Sequence, residues 1–310
     1  MNNTVFLEPC ETYEEALIKE KIESLLIKNH LLDFVKPGLK IGLKVNLVSA
    51  MKPEKEATTN PILVKVLSEI LVNMGAIVTI GDSPGGMFTS QALKNNYQVT
   101  RMEESCLVGA RLNDNFDSKI IDVNGVVLKK MDITSWILEQ DAVINMCKLK
   151  SHGMMGLSCS VKNLFGLVPG LLKPEYHYRY PKHEDFAGML IDINEYIKCK
   201  LNIVDAVMCM EGNGPTMGHP RYMGLLIASI SPYPIDLIAC KLIDIDYNIV
   251  PTVMESIKRG FISTDVNDIK TNIDYDKYNN IVNQFKTNFK LIRKDCYKLQ
   301  QLMNLQLMVQ

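Results

Sequence analysis

Residues 40–80 limit the possible folds of this chain more than any other stretch, because their pattern predicts a strand, a helix and a second strand in succession. Residues 40–48 alternate as a strand does and place Lys44 and Asn46 on one side. Residues 62–74 are apolar at helical spacing, and residues 76–80 form a β-branched run that enters a glycine-rich turn. Strands joined by a helix lie parallel, so this unit predicts a parallel sheet.

The alternation of strands and helices continues along the rest of the chain. Short apolar runs predict further strands over 125–130, 141–148, 202–207 and 224–229. Helical spacing predicts helices over 158–167, 186–198 and 234–243. The predicted fold class is therefore α/β, with a mainly parallel sheet, flanking helices, two lobes around a cleft and a helical C-terminal tail. The predicted domains are an N-terminal α/β lobe over 1–140, a second α/β lobe over 141–265, and a helical tail over 266–310.

The composition excludes several classes of protein. With 47% hydrophobic residues and a formal net charge of −1 over 310 residues, the chain is globular and lacks the field that a nucleic-acid or membrane-surface partner requires. No apolar run approaches about 18 residues, so no membrane span is predicted and the expected location is the cytoplasm. Cysteines without a Cys-x-x-Cys pair predict reduced, mostly buried thiols.

The middle of the chain is the segment richest in reactive groups. Lys148, Lys150 and His152 alternate, so in an extended strand they share a side, at the edge where open α/β sheets bind ligands. Lys162 and Asn163 follow on a predicted helix, whose start is a candidate position for a phosphate or carboxylate. The alternative is that the lysines are solvated and His152 bonds a backbone carbonyl. We favour an anion site, because five basic or amide side chains fall within 16 residues.

The chemistry of these groups suggests their roles. An imidazole exchanges protons near neutral pH, which makes His152 the candidate proton-transfer residue. A lysine beside other cations has a lowered pKa and can then act as a base or a nucleophile.

A glycine-rich turn over 81–86 is a second candidate site. Its backbone amides, Gly85 among them, could form an anion nest, with Asp82 or Ser83 facing the same sheet edge. A plain turn is equally consistent with this sequence.

Two carboxylates follow later in the chain. Asp205 lies in an apolar predicted strand, and Glu211 lies in a loop with three glycines. A buried carboxylate needs a partner, so either residue pairs with the lysines or acts as a general base. The alternative, which fits the sequence equally well, is that these carboxylates fix the loop by accepting hydrogen bonds from backbone amides. An aromatic, basic loop over 176–183 is either a lid or an ordinary surface loop.

The segment over 148–170 and the Glu211-Gly-Asn-Gly-Pro turn resemble the domain of unknown function 362 family, over roughly residues 38–262. Many members of that family carry an added ferredoxin module, which implies a function in redox chemistry. This chain departs from them, because it has no Cys-x2-Cys-x2-Cys run to hold a cluster. The resemblance leaves a separate ferredoxin open as a partner.

A more distant similarity is to lactate racemase, whose fold binds a nickel pincer nucleotide through a lysine. That family's histidine, glycine, serine and lysine pattern is matched by His152, Gly156, Ser158 and Lys162. The resemblance implies that His152 transfers protons, that Lys162 anchors the cofactor, and that His177 or His183 is a metal ligand. Where that family has a histidine after the second strand, this chain has Gly81-Asp82-Ser83, which argues against racemisation by two bases.

We therefore predict a cytoplasmic enzyme that binds a small anionic carboxylate or phosphate metabolite, or a nucleotide-like cofactor, with proton-transfer or redox chemistry by lysine and histidine. The reaction class stays open between a racemase or isomerase and an oxidoreductase, and the resemblances leave an iron–sulfur cluster or a nickel pincer nucleotide open as cofactor. The alternatives are an accessory protein of a separate iron–sulfur ferredoxin and a non-catalytic interaction protein, with a homodimer as a further option. The candidate catalytic residues are His152, Lys162, Glu211 and Asp82. The candidate cofactor-binding residues are Lys44, Asn46, Ser83, Gly85, Lys148, Lys150, Ser158 and Asn163.

Overall fold

The computed structural model describes residues 3–265 and 268–273. Within them the chain forms an α/β fold whose main sheet has nine strands, while two further strands pair as a hairpin. The strands are β1 (Thr4–Pro9), β2 (Lys40–Lys44), β3 (Ile77–Gly81), β4 (Arg111–Leu112), β5 (Ser118–Asp122), β6 (Lys130–Thr134), β7 (Ala142–His152), β8 (Gly156–Ser158), β9 (Leu201–Asn213), β10 (Met217–Ser229) and β11 (Lys270–Thr271).

The parallel strands form one continuous part of the main sheet. The strand order is β11, β1, β10, β9, β7, β2, β3, β4, and β8 pairs with the end of β7. Strands β9, β7, β2, β3 and β4 run parallel, whereas β10 pairs antiparallel with both β9 and β1. The α/β class and the mainly parallel sheet predicted from the sequence are confirmed.

Helices flank this sheet. The helix predicted over 62–74 begins at Pro61, where the Asn60 side chain accepts a hydrogen bond from the Ile62 amide at 3.0 Å. None of the helices in the described part of the chain has the length and hydropathy that spanning a bilayer requires. The α-helices are α1 (Glu15–Ile22), α2 (Pro61–Asn73), α3 (Ser90–Val99), α4 (Ser160–Asn163), α5 (Lys173–Arg179), α6 (His183–Ile197), α7 (Pro232–Leu242) and α8 (Pro251–Lys258). Shorter helical turns occur over Glu23–Ile27 (a π-helical turn), Pro53–Lys55, Met102–Val108, Ser135–Glu139, Leu164–Leu167, Gly170–Leu172 and Tyr247–Ile249.

Both faces of the sheet bury apolar side chains. Along β7, Ile144 and Met146 belong to one buried cluster, and Cys147 and Leu149 belong to the other, as alternation along a strand requires. Since helices and loops cover both faces, the ends of the parallel strands are where polar side chains can meet a ligand.

Two segments differ from their prediction. Residues 125–129 lie in the turn between β5 and β6, and Lys130 begins β6, because the Asp192 carboxylate accepts hydrogen bonds from the Val126, Val127 and Leu128 amides at 3.1, 2.7 and 2.7 Å. These bonds fold the backbone around the carboxylate and prevent pairing as a strand. The helix predicted over 158–167 is shorter, since it consists of α4 and one following turn.

The division into domains stays a prediction. The boundary at residue 140 falls just before β7, which pairs with β2 of the first predicted lobe and places Ile41 opposite Ala142. The tail predicted over 266–310 lies outside the described residues except for 268–273, where β11 forms.

Candidate functional site

The carboxyl ends of β2, β3 and β7 border a cavity of about 200 Å³. Parallel α/β sheets bind their ligands at this edge. Most of the residues singled out in the sequence line the cavity, namely Asn46, Asp82, Ser83, Gly85, Lys150, His152, Ser158, Lys162, Asn163 and His177. The fold thus brings together side chains from four distant segments of the chain.

The other predicted site residues lie outside the lining of the cavity. Lys44 is buried behind it and pairs with Asp82, which does line it. Lys148 belongs to a separate buried network. Glu211 lies on β9, and His183 begins α6.

A buried ion pair forms part of the cavity wall. Lys44 Nζ lies 2.7 Å from Asp82 Oδ1. The Asp82 carboxylate also accepts hydrogen bonds from the Leu47 and Ser83 amides at 2.8 and 2.9 Å. Three donors therefore hold this carboxylate, and the pair adds no net charge to the cavity.

Gly166 allows the backbone to cover this ion pair. Its carbonyl accepts a hydrogen bond from the Ser83 amide at 2.9 Å. A Cβ atom at position 166 would lie 2.1 Å from Asp82 Oδ1 and 2.5 Å from Lys44 Nζ. Only glycine permits so close an approach.

Lys150 is buried at the cavity without an ion-pair partner among the described residues. Its Nζ donates hydrogen bonds to Asn46 Oδ1 at 2.8 Å and to the Ala57 carbonyl at 2.6 Å. Burial lowers the pKa of Lys150 well below its ordinary value, and the nearby charge of Lys162 lowers it further.

A chain of asparagine side chains orients this lysine. Asn46 Nδ2 donates to Asn163 Oδ1 at 2.8 Å, so the Asn46 carbonyl oxygen faces Lys150. Asn163 Nδ2 donates to Asn145 Oδ1 at 2.7 Å, and Asn145 Nδ2 donates to Asn202 Oδ1 at 2.9 Å. The sequence analysis missed Asn145 and Asn202. Their position as polar residues inside two apolar strand segments is the signal that marks them.

Two further lysines line the cavity, and one of them, Lys173, was not predicted. Lys162 Nζ and Lys173 Nζ lie 5.8 and 6.0 Å from the Phe165 ring centre, and Lys173 donates a hydrogen bond to the Ser83 carbonyl. Burial, together with the charge of Lys44, lowers the pKa of each lysine to about 8. Lys173 follows a Pro-Gly pair by three residues, a spacing that carries no functional signal by itself.

His152 offers a hydrogen-bond donor to the cavity. Its Nδ1 accepts hydrogen bonds from the Met154 and Met155 amides, both at 3.2 Å, so amides rather than a carbonyl are its backbone partners. A ring nitrogen that accepts carries no proton, so the imidazole is neutral and Nε2 holds the proton. Burial and the charge of Lys162 lower the pKa of His152, which favours this neutral form.

Half of the aromatic segment predicted over 176–183 lies in the helix α5, namely residues 176–179, and His177 on this helix lines the cavity. The His177 ring stacks on Phe186, with ring centres 4.5 Å apart and planes at 11°. Burial lowers the pKa of His177 to about 4, so this ring is also neutral near pH 7.

The donor set does not fit a protein-held metal centre. Across residues 3–265 and 268–273, no three His, Cys, Asp or Glu side chains converge as a bound ion would require. A nickel ion or an iron–sulfur cluster ligated by side chains of this part of the chain therefore does not match the site.

The start of α4, proposed from the sequence as an anion position, is occupied by a side chain of the protein itself. The Asp236 carboxylate accepts hydrogen bonds from the Ser160 and Val161 amides at 2.8 and 3.3 Å. Burial raises the pKa of Asp236 to about 7. The Asp236 carboxylate therefore takes the place that an external anion would need at this helix start.

Lys148 is held in a buried ion network beside the site. Its Nζ lies 2.6 Å from Glu56 Oε2, 3.1 Å from Asp205 Oδ2 and 2.9 Å from the Tyr13 hydroxyl. Tyr13 in turn donates to Asp205 Oδ1 at 2.6 Å. These partners neutralise Lys148, so its charge is not available to a ligand in the cavity.

Comparison with known proteins identifies relatives that cover most of this chain. The sequence profile of the family described as Domain of unknown function (DUF362) matches residues 41–241. A thylakoid-associated protein of Synechocystis sp. is 30% identical over 271 residues, which cover 85% of this chain and 82% of that protein.

Two solved structures show a more distant likeness. A protein from Thermotoga maritima covers 70% of this chain at 13% sequence identity, with a TM-score of 0.40. The lactate racemase apoprotein from Thermoanaerobacterium thermosaccharolyticum covers 71% at 13% identity, with a TM-score of 0.42. The chain spans little more than half the length of these two proteins, 55% and 54%.

Proposed function

The chain belongs to the domain of unknown function 362 family, and we propose its function from the residues that line the cavity. The protein is an enzyme that binds a small anionic metabolite, a carboxylate or a phosphate, between Lys150, Lys162 and Lys173. One observation carries this proposal. Two lysines with pKa values of about 8, Lys162 and Lys173, line the cavity beside the Lys150 amine, whereas Asp82, the single carboxylate among the described lining residues, is already paired with Lys44.

The state of Lys162 supports an anionic ligand. Within the described residues its ammonium group has neither a hydrogen-bond acceptor nor an ion-pair partner. It lies over the Phe165 ring, 5.8 Å from the ring centre. A half-buried ammonium group without a counter-charge is unfavourable unless a ligand supplies that charge. The same reasoning applies to Lys173, which has one carbonyl acceptor for three N–H groups.

Two neutral donors support a ligand rich in oxygen. Ser83 Oγ is buried, and the structure gives it no hydrogen-bond partner among the described residues. His152 Nε2–H is the second donor at the cavity. Buried polar atoms are normally satisfied, so a carboxylate or phosphate oxygen is the expected partner of each.

The size of the cavity favours a small metabolite over a nucleotide. A volume of about 200 Å³ is below the 300–1,000 Å³ that is typical of sites for drug-sized ligands. Of the two classes considered from the sequence, a metabolite of a few carbon atoms therefore fits better than a nucleotide-like cofactor.

Proton transfer is the chemistry that these groups support. An amine with a pKa of about 8 exchanges protons readily near neutral pH, so Lys162 or Lys173 can act as acid or base toward a bound carbon acid. This favours an isomerase-type reaction over electron transfer. The ferredoxin partner, the homodimer and the cytoplasmic location remain predictions.

Lys162→Gln is expected to weaken oxalate binding about 10- to 100-fold, because a hydrogen bond to a charged group contributes roughly 1.5–3 kcal/mol. Isothermal titration calorimetry of the purified protein with oxalate and with inorganic phosphate measures the effect. The matched control is Lys94→Gln, which removes an exposed lysine on α3 and should leave both affinities unchanged. If neither anion binds the wild-type protein, or if the two variants bind equally well, the anion-site proposal fails.

Oxalate affinity is expected to fall as pH rises through about 8. Lys162 and Lys173 have pKa values of about 8, so both are ammonium groups below that pH and neutral amines above it. If binding requires one of these lysines to be protonated, the affinity falls by as much as about tenfold for each pH unit above the pKa of that lysine. Oxalate keeps a constant charge in this range, so titrations from pH 7 to 9 report on the protein. An affinity that does not change over this range would show that neither lysine contacts the anion.

A further inference from the structure

We propose that Lys150 is an amine nucleophile that condenses with the carbonyl group of the anion bound in this cavity. The inference rests on the proposed function and deepens it, because it names the substrate class as a small oxo acid, a carbonyl compound that also carries a carboxylate.

The hydrogen bonds of Lys150 match a neutral amine. A neutral ε-amino group has two N–H bonds and one lone pair, and Lys150 Nζ has two acceptors, Asn46 Oδ1 and the Ala57 carbonyl. Both N–H groups are thereby satisfied. Because Lys150 lines the cavity, the lone pair is the position left for a ligand. An ammonium group at the same place would have a third N–H, for which the described residues supply no acceptor.

The charges around Lys150 favour the same form. The cations that act on the pKa of Lys150 are Lys162, Lys148 and Lys44, and Asp82 is an acid that acts on it in the opposite direction. Asp82 is paired with Lys44 at 2.7 Å, and Lys148 is paired with Glu56 and Asp205. Lys150 therefore lacks a carboxylate of its own, and its lowered pKa agrees with a neutral amine.

The other lysines of the site are less suited to be the nucleophile. Lys44 is an ammonium group in a tight ion pair, and Lys173 donates to the Ser83 carbonyl. Lys162 is held by no hydrogen bond among the described residues, so it suits a mobile proton donor or a carboxylate contact. Among the three lysines that line the cavity, Lys150 is the one that the described residues fix by two acceptors, which presents its lone pair in one direction.

The proposed step forms a Schiff base and balances without another reactant. Lys150 Nζ attacks the carbonyl carbon, and the carbonyl oxygen takes a proton from the Lys162 ammonium group to give a carbinolamine. Nζ returns a proton to the Lys162 amine, and Lys162 passes it to the hydroxyl group, which leaves as water while the Nζ lone pair forms the C=N bond. The remaining N–H proton of the iminium ion goes back to Lys162, so one C=N bond replaces one C=O bond and Lys162 ends as an ammonium group. The carboxylate of the oxo acid stays on Lys173 throughout, while Lys162 moves the protons.

Reductive trapping with glyoxylate tests this step in the wild-type protein. Incubation with glyoxylate and cyanoborohydride, followed by peptide mass spectrometry, is expected to place a carboxymethyl group on Lys150 about tenfold or more faster than on the exposed Lys94. Excess oxalate should protect Lys150 and leave Lys94 unaffected. Labelling of Lys150 and Lys94 at equal rates, or labelling of Lys162 in place of Lys150, would overturn the proposal.

Binding data separate this inference from the proposed function. Lys150→Met should lose the glyoxylate label that excess oxalate prevents in the wild-type protein. Titration of the variant with oxalate shows whether its cavity is still formed. If wild-type protein binds oxalate but glyoxylate never labels Lys150, the nucleophile inference fails and the anion site stands. If the wild-type protein binds no anion, the proposed function fails as well.

Discussion

Lys148→Met is expected to lower the free energy of unfolding by about 3–5 kcal/mol, the cost of removing one partner from a buried ion pair. The substitution leaves Glu56 and Asp205 without the ammonium group that lies 2.6 and 3.1 Å from their oxygens. Lys148 and Asp205 are fully buried, so water cannot replace the lost charge. Domains have a total stability of only about 5–15 kcal/mol, so urea denaturation followed by circular dichroism will detect a loss of this size.

Two further variants separate the ion network from a general effect of losing a lysine. Lys94→Met removes an exposed lysine and should change the unfolding free energy by about 0.5 kcal/mol or less. Adding Glu56→Gln and Asp205→Asn to Lys148→Met removes the unpaired charges and should recover part of the loss. Equal unfolding midpoints for Lys148→Met and Lys94→Met would contradict the assignment of this network as structural.

Gly166→Ala is expected to abolish measurable oxalate binding and to destabilise the protein by about 1–3 kcal/mol or more through overpacking. The added methyl group would lie 2.1 Å from Asp82 Oδ1 and 2.5 Å from Lys44 Nζ, so the ion pair or the backbone at Gly166 must move. Either movement displaces the cavity wall that Asp82 and Ser83 form. Calorimetry with oxalate and urea denaturation measure the two effects.

Gly85→Ala is the matched control for this variant. Gly85 lines the same cavity, but a Cβ atom there would meet only the Val48 carbonyl oxygen, at an ordinary distance of 3.5 Å. We expect a small change in stability and retained binding. Should Gly166→Ala bind oxalate as well as Gly85→Ala does, the close packing at Gly166 is not needed for the site.

The sequence predicts the fold well where local signals agree with long-range packing. The helix over 62–74 is an example, since its capping asparagine, its first-turn proline and its apolar spacing all indicate the same element. The turn over 125–129, which the sequence predicts as part of a strand, shows the limit of local signals. It depends on the Asp192 carboxylate, which is more than 60 residues away in the chain, and no local pattern reports that contact.

The same limit applies to the site. The alternation of Lys148 and Lys150 along one strand predicts that they share a side, and in the structure both contact residues 56–57. Their partners differ, with Glu56 for one and the Ala57 carbonyl for the other. Composition and spacing alone do not reveal which lysine meets a carboxylate. Lys173 was missed for a related reason, because its place at the cavity depends on how the backbone near Gly170 packs against the turn over 81–86.

The asparagine chain links the interior of the sheet to the reactive amine. It runs from Asn202 on β9 through Asn145 on β7 to Asn163 and Asn46, and it ends at Lys150 Nζ. Each amide has its two ends assigned by its neighbours, so the orientation of one sets the orientation of the next. A substitution at Asn202, at the far end of the chain from the amine, therefore acts on the basicity of Lys150 from a distance. Under the proposed function, side chains that contact no ligand can therefore set the reactivity of Lys150.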